Sequence, residues 1–286
     1  MTTTKKHISI AYSPDTDDAF MILALQEKRI PWDEFEFSFT IGDIQELNEA
    51  ARQGRYDITA ISVGAYPSIR DRYLMMPVGA SIGDEYGPAI VTSPAAELNI
   101  DDLRGRRIAV PGLNTSAHIA AQALFGPFEA VPVYFMDITA SVLKGTVDAG
   151  ILIHELQLDP SAAGLRKITD LGRLWHSRFN LPLPLGANAI SRTIDLPTAS
   201  RLNQIYRSSI EAGLHERKRT LSKALQSAAA SASLNDAWGE RYISMYVNER
   251  SLAFQHDVLE GIKTLFDQGA RCGLFTPVDL DSHLIH

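Results

Sequence analysis

The feature that most restricts the fold of this 286-residue chain is a regular alternation of strand-like and helix-like segments. Residues 7–13 (HISIAYS) have the alternating pattern of a strand, and a helix-like segment follows at 15–30. The two-residue alternation of 35–41 (FEFSFTI) then precedes a helix-like segment that ends at Gly54. This order predicts βα units built on a mainly parallel sheet.

The alternation restarts near residue 93, and the chain is long enough for two lobes. A strand-like segment ends at Val110, another covers 132–137, and from about residue 196 the pattern is almost entirely helical. We therefore predict an α/β protein with a helical C-terminal region and a ligand cleft between two lobes. The predicted boundaries are residues 1–92 plus 188–286 for a discontinuous domain 1, residues 93–187 for domain 2, and two hinge crossings at about 91–95 and 187–191.

Charge and cysteine content exclude several classes of partner and site. The formal net charge is −7, whereas nucleic acids and anionic membranes attract clustered Lys and Arg. The one basic run, at 215–223, is helix-like and is interpreted as a solvent-exposed face. Cys272 is the only cysteine, which excludes an intramolecular disulfide and a cysteine metal cluster. We predict a small-molecule substrate and neither a nucleic acid nor a membrane partner, and the oligomeric state stays open.

The N-terminal residues contain two lysines but no apolar stretch before strand-like sequence begins. No apolar run in the chain reaches the length of a membrane span. We therefore expect a cytoplasmic protein without a cleaved signal peptide.

Ligands of open α/β sheets bind beyond the carboxyl ends of the strands, and polar residues follow several of these ends. Ser13, Asp15 and Asp17 follow the first strand. The two aspartates either complement the dipole of the next helix or contact a neutral, hydroxyl-rich ligand, because clustered acids repel an anion. Asp43 and Ser62, after the second and third strands, are further candidates for ligand binding, although Ser62 could equally cap a helix.

Asn114, Thr115 and Ser116 open a helix in the second unit. The free amides of a helix N-terminus favour a carboxylate or another electron-rich oxygen, so these residues are candidates for binding such a group. Ordinary helix capping selects the same residue types. His118, inside the helix, is interpreted as structural.

His154 stands where the apolar run 151–153 ends, at the predicted edge of the cleft. An isolated histidine beside apolar residues is usually structural. An imidazole with a pKa near 6.5 is nevertheless suited to take a proton at cellular pH, so His154 is the candidate general base. Glu155 is expected to point to the opposite side if the strand continues through it.

Familiar cofactor and metal motifs are missing from the sequence. It has no Gly-rich dinucleotide fingerprint, no Walker loop and no nucleophile elbow. The segment HEL at 154–156 lacks the second histidine of a zinc motif. We predict that the protein uses neither a cofactor nor a metal.

Six segments in matching order, spread over nearly the whole chain, resemble the 1,4-dihydroxy-6-naphthoate synthase family of the periplasmic-binding-protein-like superfamily. They are Ser13, Pro14, Asp18 and Phe20 of the first loop, GPAIV at 87–91, AVPGLNTSA at 109–117, DAGILIHE at 148–155, LPLPLGA at 181–187 and YVNERS at 246–251.

This resemblance implies a two-lobed α/β fold of the type II periplasmic-binding-protein kind and a cytoplasmic lyase of menaquinone biosynthesis by the futalosine route. Members convert cyclic dehypoxanthinylfutalosine to 1,4-dihydroxy-6-naphthoate without a metal or nucleotide cofactor. The resemblance assigns the base to His154. It also places Thr115 and Ser116 where the family binds polar groups of the ligand, and Ser62 matches the serine that follows the third strand in the family.

The first loop departs from the family pattern Ser-Pro-Cys-Pro-Asn-Asp-Thr-Phe. This chain has Asp15, Thr16, Asp17 and Ala19 where the family has Cys, Pro, Asn and Thr, so a related substrate stays open. Two other functions also remain as alternatives. One is a solute-binding or sensing protein, against which the missing signal peptide argues. The other is a chorismate dehydratase, which is not expected to carry the IHE segment.

Overall fold

The computed structural model describes residues 5–227 and 236–285 and contains two five-stranded sheets. The first sheet has the strand order β2-β1-β3-β10-β4, and the second has the order β7-β6-β8-β5-β9. The strands are β1 (Lys6–Tyr12), β2 (Phe35–Ile41), β3 (Ile58–Ser62), β4 (Tyr73–Gly83), β5 (Ala89–Thr92), β6 (Arg107–Val110), β7 (Glu129–Pro132), β8 (Ala149–Leu152), β9 (Arg166–Asp170) and β10 (Leu183–Ser191).

Helices cover the sheets and form most of the C-terminal region, as the sequence predicted. The α-helices are α1 (Thr16–Gln26), α2 (Ile44–Arg52), α3 (Ser116–Phe125), α4 (Ile138–Leu143), α5 (Leu171–Phe179), α6 (Leu196–His215), α7 (Arg217–Ser227), α8 (Asp236–Tyr246), α9 (Glu249–Leu252) and α10 (His256–Arg271). No helix in the described part of the chain is both long and apolar enough to span a membrane.

Each sheet is parallel except for one reversed strand. In the first sheet β1 runs parallel to β2 and β3, and β10 is antiparallel to β3 and β4. In the second sheet β6 runs parallel to β7 and β8, and β5 is antiparallel to β8 and β9. The reversed strands β5 and β10 are the two at which the chain enters one sheet from the other. The chain leaves one sheet at the carboxyl ends of its parallel strands and enters the other sheet at the corresponding edge. The first strand after each crossing therefore runs opposite to the parallel strands.

The chain therefore passes between the sheets twice, in the order that the two-lobed prediction requires. The first passage lies between Gly83 and Ala89, and the return lies between Asp170 and Leu183. Both passages lie somewhat earlier along the chain than the predicted crossings. The exact division into domains stays a prediction.

Buried apolar side chains hold the helices against both sheets. In the first sheet Phe20 of α1 and Tyr206 of α6 are fully covered within one cluster. A second cluster joins Tyr66, Trp175 and Phe266, and it links the region between the sheets to α10. The loops at the carboxyl ends of the strands are consequently anchored on rigid elements, which is the usual setting for a binding site.

Candidate functional site

A cleft with about 620 Å³ of empty space, counting the part open to solvent, lies where the strand ends of the two sheets face each other. Loops after β1 and β3 form one wall, and the start of α3 and the segment after β8 form the other. Lys and Arg are absent from its described lining. The polar lining side chains are Ser13, Asp15, Asp17, Asp18, Ser62, Ser81, Thr115, Ser116, Tyr242 and Tyr246.

Six of the residues singled out from the sequence are brought together in this cleft: Ser13, Asp15, Asp17, Ser62, Thr115 and Ser116. Asp43 and Asn114 line a second groove, which lies between α2 and the segment before α3. There Asp43 caps α2 by accepting hydrogen bonds from the amides of Gln45 (2.9 Å) and Glu46 (3.3 Å). Asn114 donates to Glu49 Oε1 at 3.0 Å. A ligand role for these two residues stays a prediction.

The acidic end of the cleft is built from the first residues of α1. Asp15 occupies the N-cap position, but its carboxylate makes no capping hydrogen bond. Asp18 accepts from the amide of Ser13 at 2.9 Å, and Asp17 accepts from Ser81 Oγ at 2.5 Å. Helix capping therefore does not explain why these three carboxyls lie together.

Burial and mutual repulsion favour the protonated form of these acids. Burial raises the pKa of Asp17 to about 7, with the charge of Asp18 adding to the rise and the bond from Ser81 opposing it. Burial also raises the pKa of Asp15 well above its usual range, and the charges of Glu155, Asp17 and Asp18 raise it further. A protonated carboxyl can donate a hydrogen bond, so this end of the cleft suits a ligand with hydroxyl or carbonyl oxygens.

The opposite end is formed by the N-terminus of α3. Ser116 Oγ accepts from the amide of Gly64 at 3.0 Å and donates to the carbonyl of Leu185 at 2.7 Å. A Cβ on Gly64 would lie 3.0 Å from the backbone nitrogen of Ser116, so glycine permits this close approach of the two sheets. Thr115 Oγ1 caps α3 by accepting from the amide of His118 at 3.3 Å. The first-turn amides of such a helix favour an electron-rich oxygen.

His154 lies directly behind the cleft wall. Its neighbour Ile153 lines the cleft, whereas His154 itself is 5% exposed and its ring packs edge-on against Phe135 at 5.2 Å between centroids. Its Nδ1 atom is buried and has no hydrogen-bond partner in the described part of the chain. Burial lowers the pKa of His154, and the charge of Glu155 opposes that effect only in part. The imidazole is therefore neutral at cellular pH, which is the form that can accept a proton.

Glu155 was expected to point away from the site if the strand continued through it, and that condition is not met. Strand β8 ends at Leu152 and a 3₁₀ turn begins at Glu155, so the two-residue alternation of a strand does not reach this position. The side chain is 1% exposed, and its Oε1 accepts hydrogen bonds from Thr16, 139 residues away in the sequence.

Three polar cleft residues were missed by reading the sequence: Ser81, Tyr242 and Tyr246. Ser81 lies within β4, where nothing in the apolar run marks it as a site. Tyr242 and Tyr246 belong to α8, and Tyr246 donates to Gln157 Oε1 at 3.3 Å across the cleft. Of the three, only Tyr246 lies in a segment that the sequence singled out, at 246–251. In the described part of the chain, no group of three or more His, Cys, Asp or Glu is arranged to hold a metal ion.

Known proteins resemble this chain over nearly its full length. The sequence profile of a family described as menaquinone biosynthesis matches residues 8–271. A 1,4-dihydroxy-6-naphthoate synthase of Streptomyces coelicolor is 31% identical over 281 residues, which cover 96% of this chain and 97% of that protein. The enzyme of the same name from Thermus thermophilus is 30% identical over 94% of this chain and 96% of its own length.

Solved structures show the same fold. A protein from Archaeoglobus fulgidus is 35% identical, with a TM-score of 0.86 over 94% of this chain and 98% of that chain. The alkanesulfonate-binding protein SsuA of Xanthomonas axonopodis pv. citri, solved with bound MOPS, has a TM-score of 0.72 at 18% identity, over 98% of this chain and 99% of that chain. At that identity the likeness concerns only the periplasmic-binding-protein fold, which is the fold that the sequence predicted.

Proposed function

This chain belongs to the menaquinone-biosynthesis family, and from that premise we propose that it is a lyase converting cyclic dehypoxanthinylfutalosine to 1,4-dihydroxy-6-naphthoate. The observation that carries the proposal is the neutral imidazole of His154, with an unpartnered Nδ1, directly behind a cleft lined by polar groups from both sheets. In this proposal the enzyme acts in the cytoplasm on a small molecule, without a metal or another cofactor.

The proposed reaction begins when His154 removes a proton next to a carbonyl of the substrate. Carbon–carbon cleavage and aromatisation follow, and the aromatic product makes the overall reaction favourable. A base must come within about 3 Å of the atom that carries the proton it removes. Because Ile153 and not His154 lines the cleft, the proposal requires the segment after β8 to shift, or the two sheets to close on the substrate.

The two polar ends of the cleft support one orientation of the substrate. Negative charge that grows on an oxygen during proton removal would be stabilised by the first-turn amides of α3, near Thr115 and Ser116. The hydroxyl groups of the substrate would then meet Asp15 and Asp17 at the acidic end. Ser13 and Ser62 would contribute further polar contacts from the first sheet.

A direct assay tests this function. Purified protein incubated with cyclic dehypoxanthinylfutalosine is expected to release 1,4-dihydroxy-6-naphthoate, detected by chromatography against a standard. A His154→Asn variant at equal concentration serves as the control for contaminating activity. Binding of the compound with its quantitative recovery would instead indicate a solute-binding protein, and absence of both binding and turnover would indicate a different substrate.

Asp15→Ala is expected to weaken ligand binding without the stability loss of an ordinary helix cap. Removing a capping aspartate typically costs about 1 kcal/mol, but the Asp15 carboxylate makes no capping bond. We expect an unchanged or higher midpoint in urea unfolding and a raised KM. Asp43→Ala is the matched comparison, because Asp43 does cap α2, and it is expected to lower stability. A loss of stability in Asp15→Ala with an unchanged KM would assign Asp15 to capping.

A further inference from the structure

Glu155 is a buried carboxylate that the proposed reaction does not use. It is 1% exposed, and no Lys or Arg in the described part of the chain forms an ion pair with it. Its Oε1 accepts from the amide of Thr16 at 3.2 Å and from Thr16 Oγ1. Its Oε2 is buried without a hydrogen-bond partner. Burying a carboxylate costs free energy unless hydrogen bonds or opposite charges compensate it, so the position of Glu155 beside the cleft needs a physical explanation.

The contact with Thr16 satisfies the first free amide of α1, to which the Asp15 carboxylate makes no hydrogen bond. Thr16 is the first residue of α1, and its amide has no acceptor within the helix. Glu155 supplies that acceptor from the segment after β8, which belongs to the other sheet. The first amide of the helix is thus capped across the cleft, and the carboxylate of Asp15 lines the cleft.

The same carboxylate is the immediate chain neighbour of His154. We infer that Glu155 is a positioning residue of this site: it fixes the first loop against the His154 segment and places a negative charge at the junction of the two. The kinetic part of this inference rests on the proposed function. The contacts and charges themselves do not.

The charge of Glu155 acts on four titratable groups near it. It raises the pKa of His154, against the larger lowering by burial. It also raises the pKa of Asp15 and of Asp17, in addition to the effect of burial, and that of Tyr242 from α8. The charge of Glu155 therefore favours the protonated form of the cleft acids. It also partly offsets the lowering of the His154 pKa by burial.

Glu155→Gln tests the charge, because glutamine keeps the acceptor for Thr16 and removes the negative charge. The pKa of His154 is measured by NMR on protein with labelled histidine, assigned with the spectrum of His154→Asn. We expect it to fall in Glu155→Gln, since the charge of Glu155, which raises it, has been removed. The acid limb of the kcat/KM profile should move to lower pH with it, because the base then stays deprotonated to lower pH. Glu129→Gln, at an exposed site on β7, is the control and should leave both unchanged.

Thr16→Val tests the tether, because it removes the hydroxyl donor and keeps the charge of Glu155. We expect a lower kcat/KM in Thr16→Val, with the acid limb of its pH profile at the same pH as in wild type. Thr16→Ser should restore the wild-type kcat/KM. An unaltered His154 pKa in Glu155→Gln, or an unaltered kcat/KM in Thr16→Val, would overturn the inference. A wild-type protein without turnover would reject the proposed function instead, and the NMR titration would still decide the role of Glu155.

Discussion

Replacement of His154 by asparagine is expected to lower kcat/KM at pH 7 by about two to four orders of magnitude, the usual contribution of a general base. Asparagine keeps a polar group of similar shape but cannot accept a proton from carbon. The loss should fall on kcat rather than on KM, because the ring lies behind the cleft wall and is assigned to the chemical step. Rates are measured by following the naphthoate product under saturating and limiting substrate.

The fold is expected to survive this change, although His154 is buried. Its Nδ1 has no hydrogen-bond partner among residues 5–227 and 236–285, so replacing the ring breaks no hydrogen bond at that atom. His7→Asn, at an exposed position in β1, is the control and should retain wild-type kinetics. If His154→Asn turns over at the wild-type rate with an unchanged melting temperature, another group supplies the base.

Asp17→Asn is expected to stabilise the protein at neutral pH, by at most about 4 kcal/mol. Burial and Asp18 raise the pKa of Asp17 from 3.8 to about 7 in the folded protein. Because of this difference in pKa, the folded state binds the proton of Asp17 more strongly than the unfolded state does. The stabilisation from that proton is complete below pH 4 and is lost as the pH rises towards 7. Asparagine, which still accepts from Ser81, does not ionise and avoids this loss.

The measurement is urea unfolding of wild type and Asp17→Asn at intervals from pH 4 to pH 8. The free-energy difference between them should grow with pH and level off above 7. His154 acts in the opposite direction, since burial lowers its pKa and the folded state loses stability on acidification, but it contributes equally to both proteins. Asp33→Asn, at an exposed carboxylate, is the control for the loss of one carboxyl group. A difference for Asp17→Asn that does not change with pH would show that this carboxyl ionises normally.

The predictions for His154 and Asp17 concern two parts of the same site. Three neighbouring carboxyls line the cleft and a buried imidazole lies behind its wall, and burial shifts the pKa of each of these groups towards the uncharged form. Sites that need perturbed acids and bases commonly cost the fold stability. A more stable Asp17→Asn protein with weaker substrate binding would show this trade-off directly.

The sequence by itself determined the βα alternation, the helical C-terminal region, and the placement of Asp15, Asp17, Ser62 and Ser116 at strand ends. It could do so because these features depend on side chains two to four residues apart, which the periodicity of a strand or helix records directly. The reversal of β5 and β10, the entry of Tyr242 and Tyr246 into the cleft, and the capping of α1 by Glu155 were decided only by the tertiary structure. They join residues from separate strands and helices, as Thr16 and Glu155 do across 139 positions. Such contacts exist only once the packing of two sheets has brought distant segments together, and no local pattern carries that information.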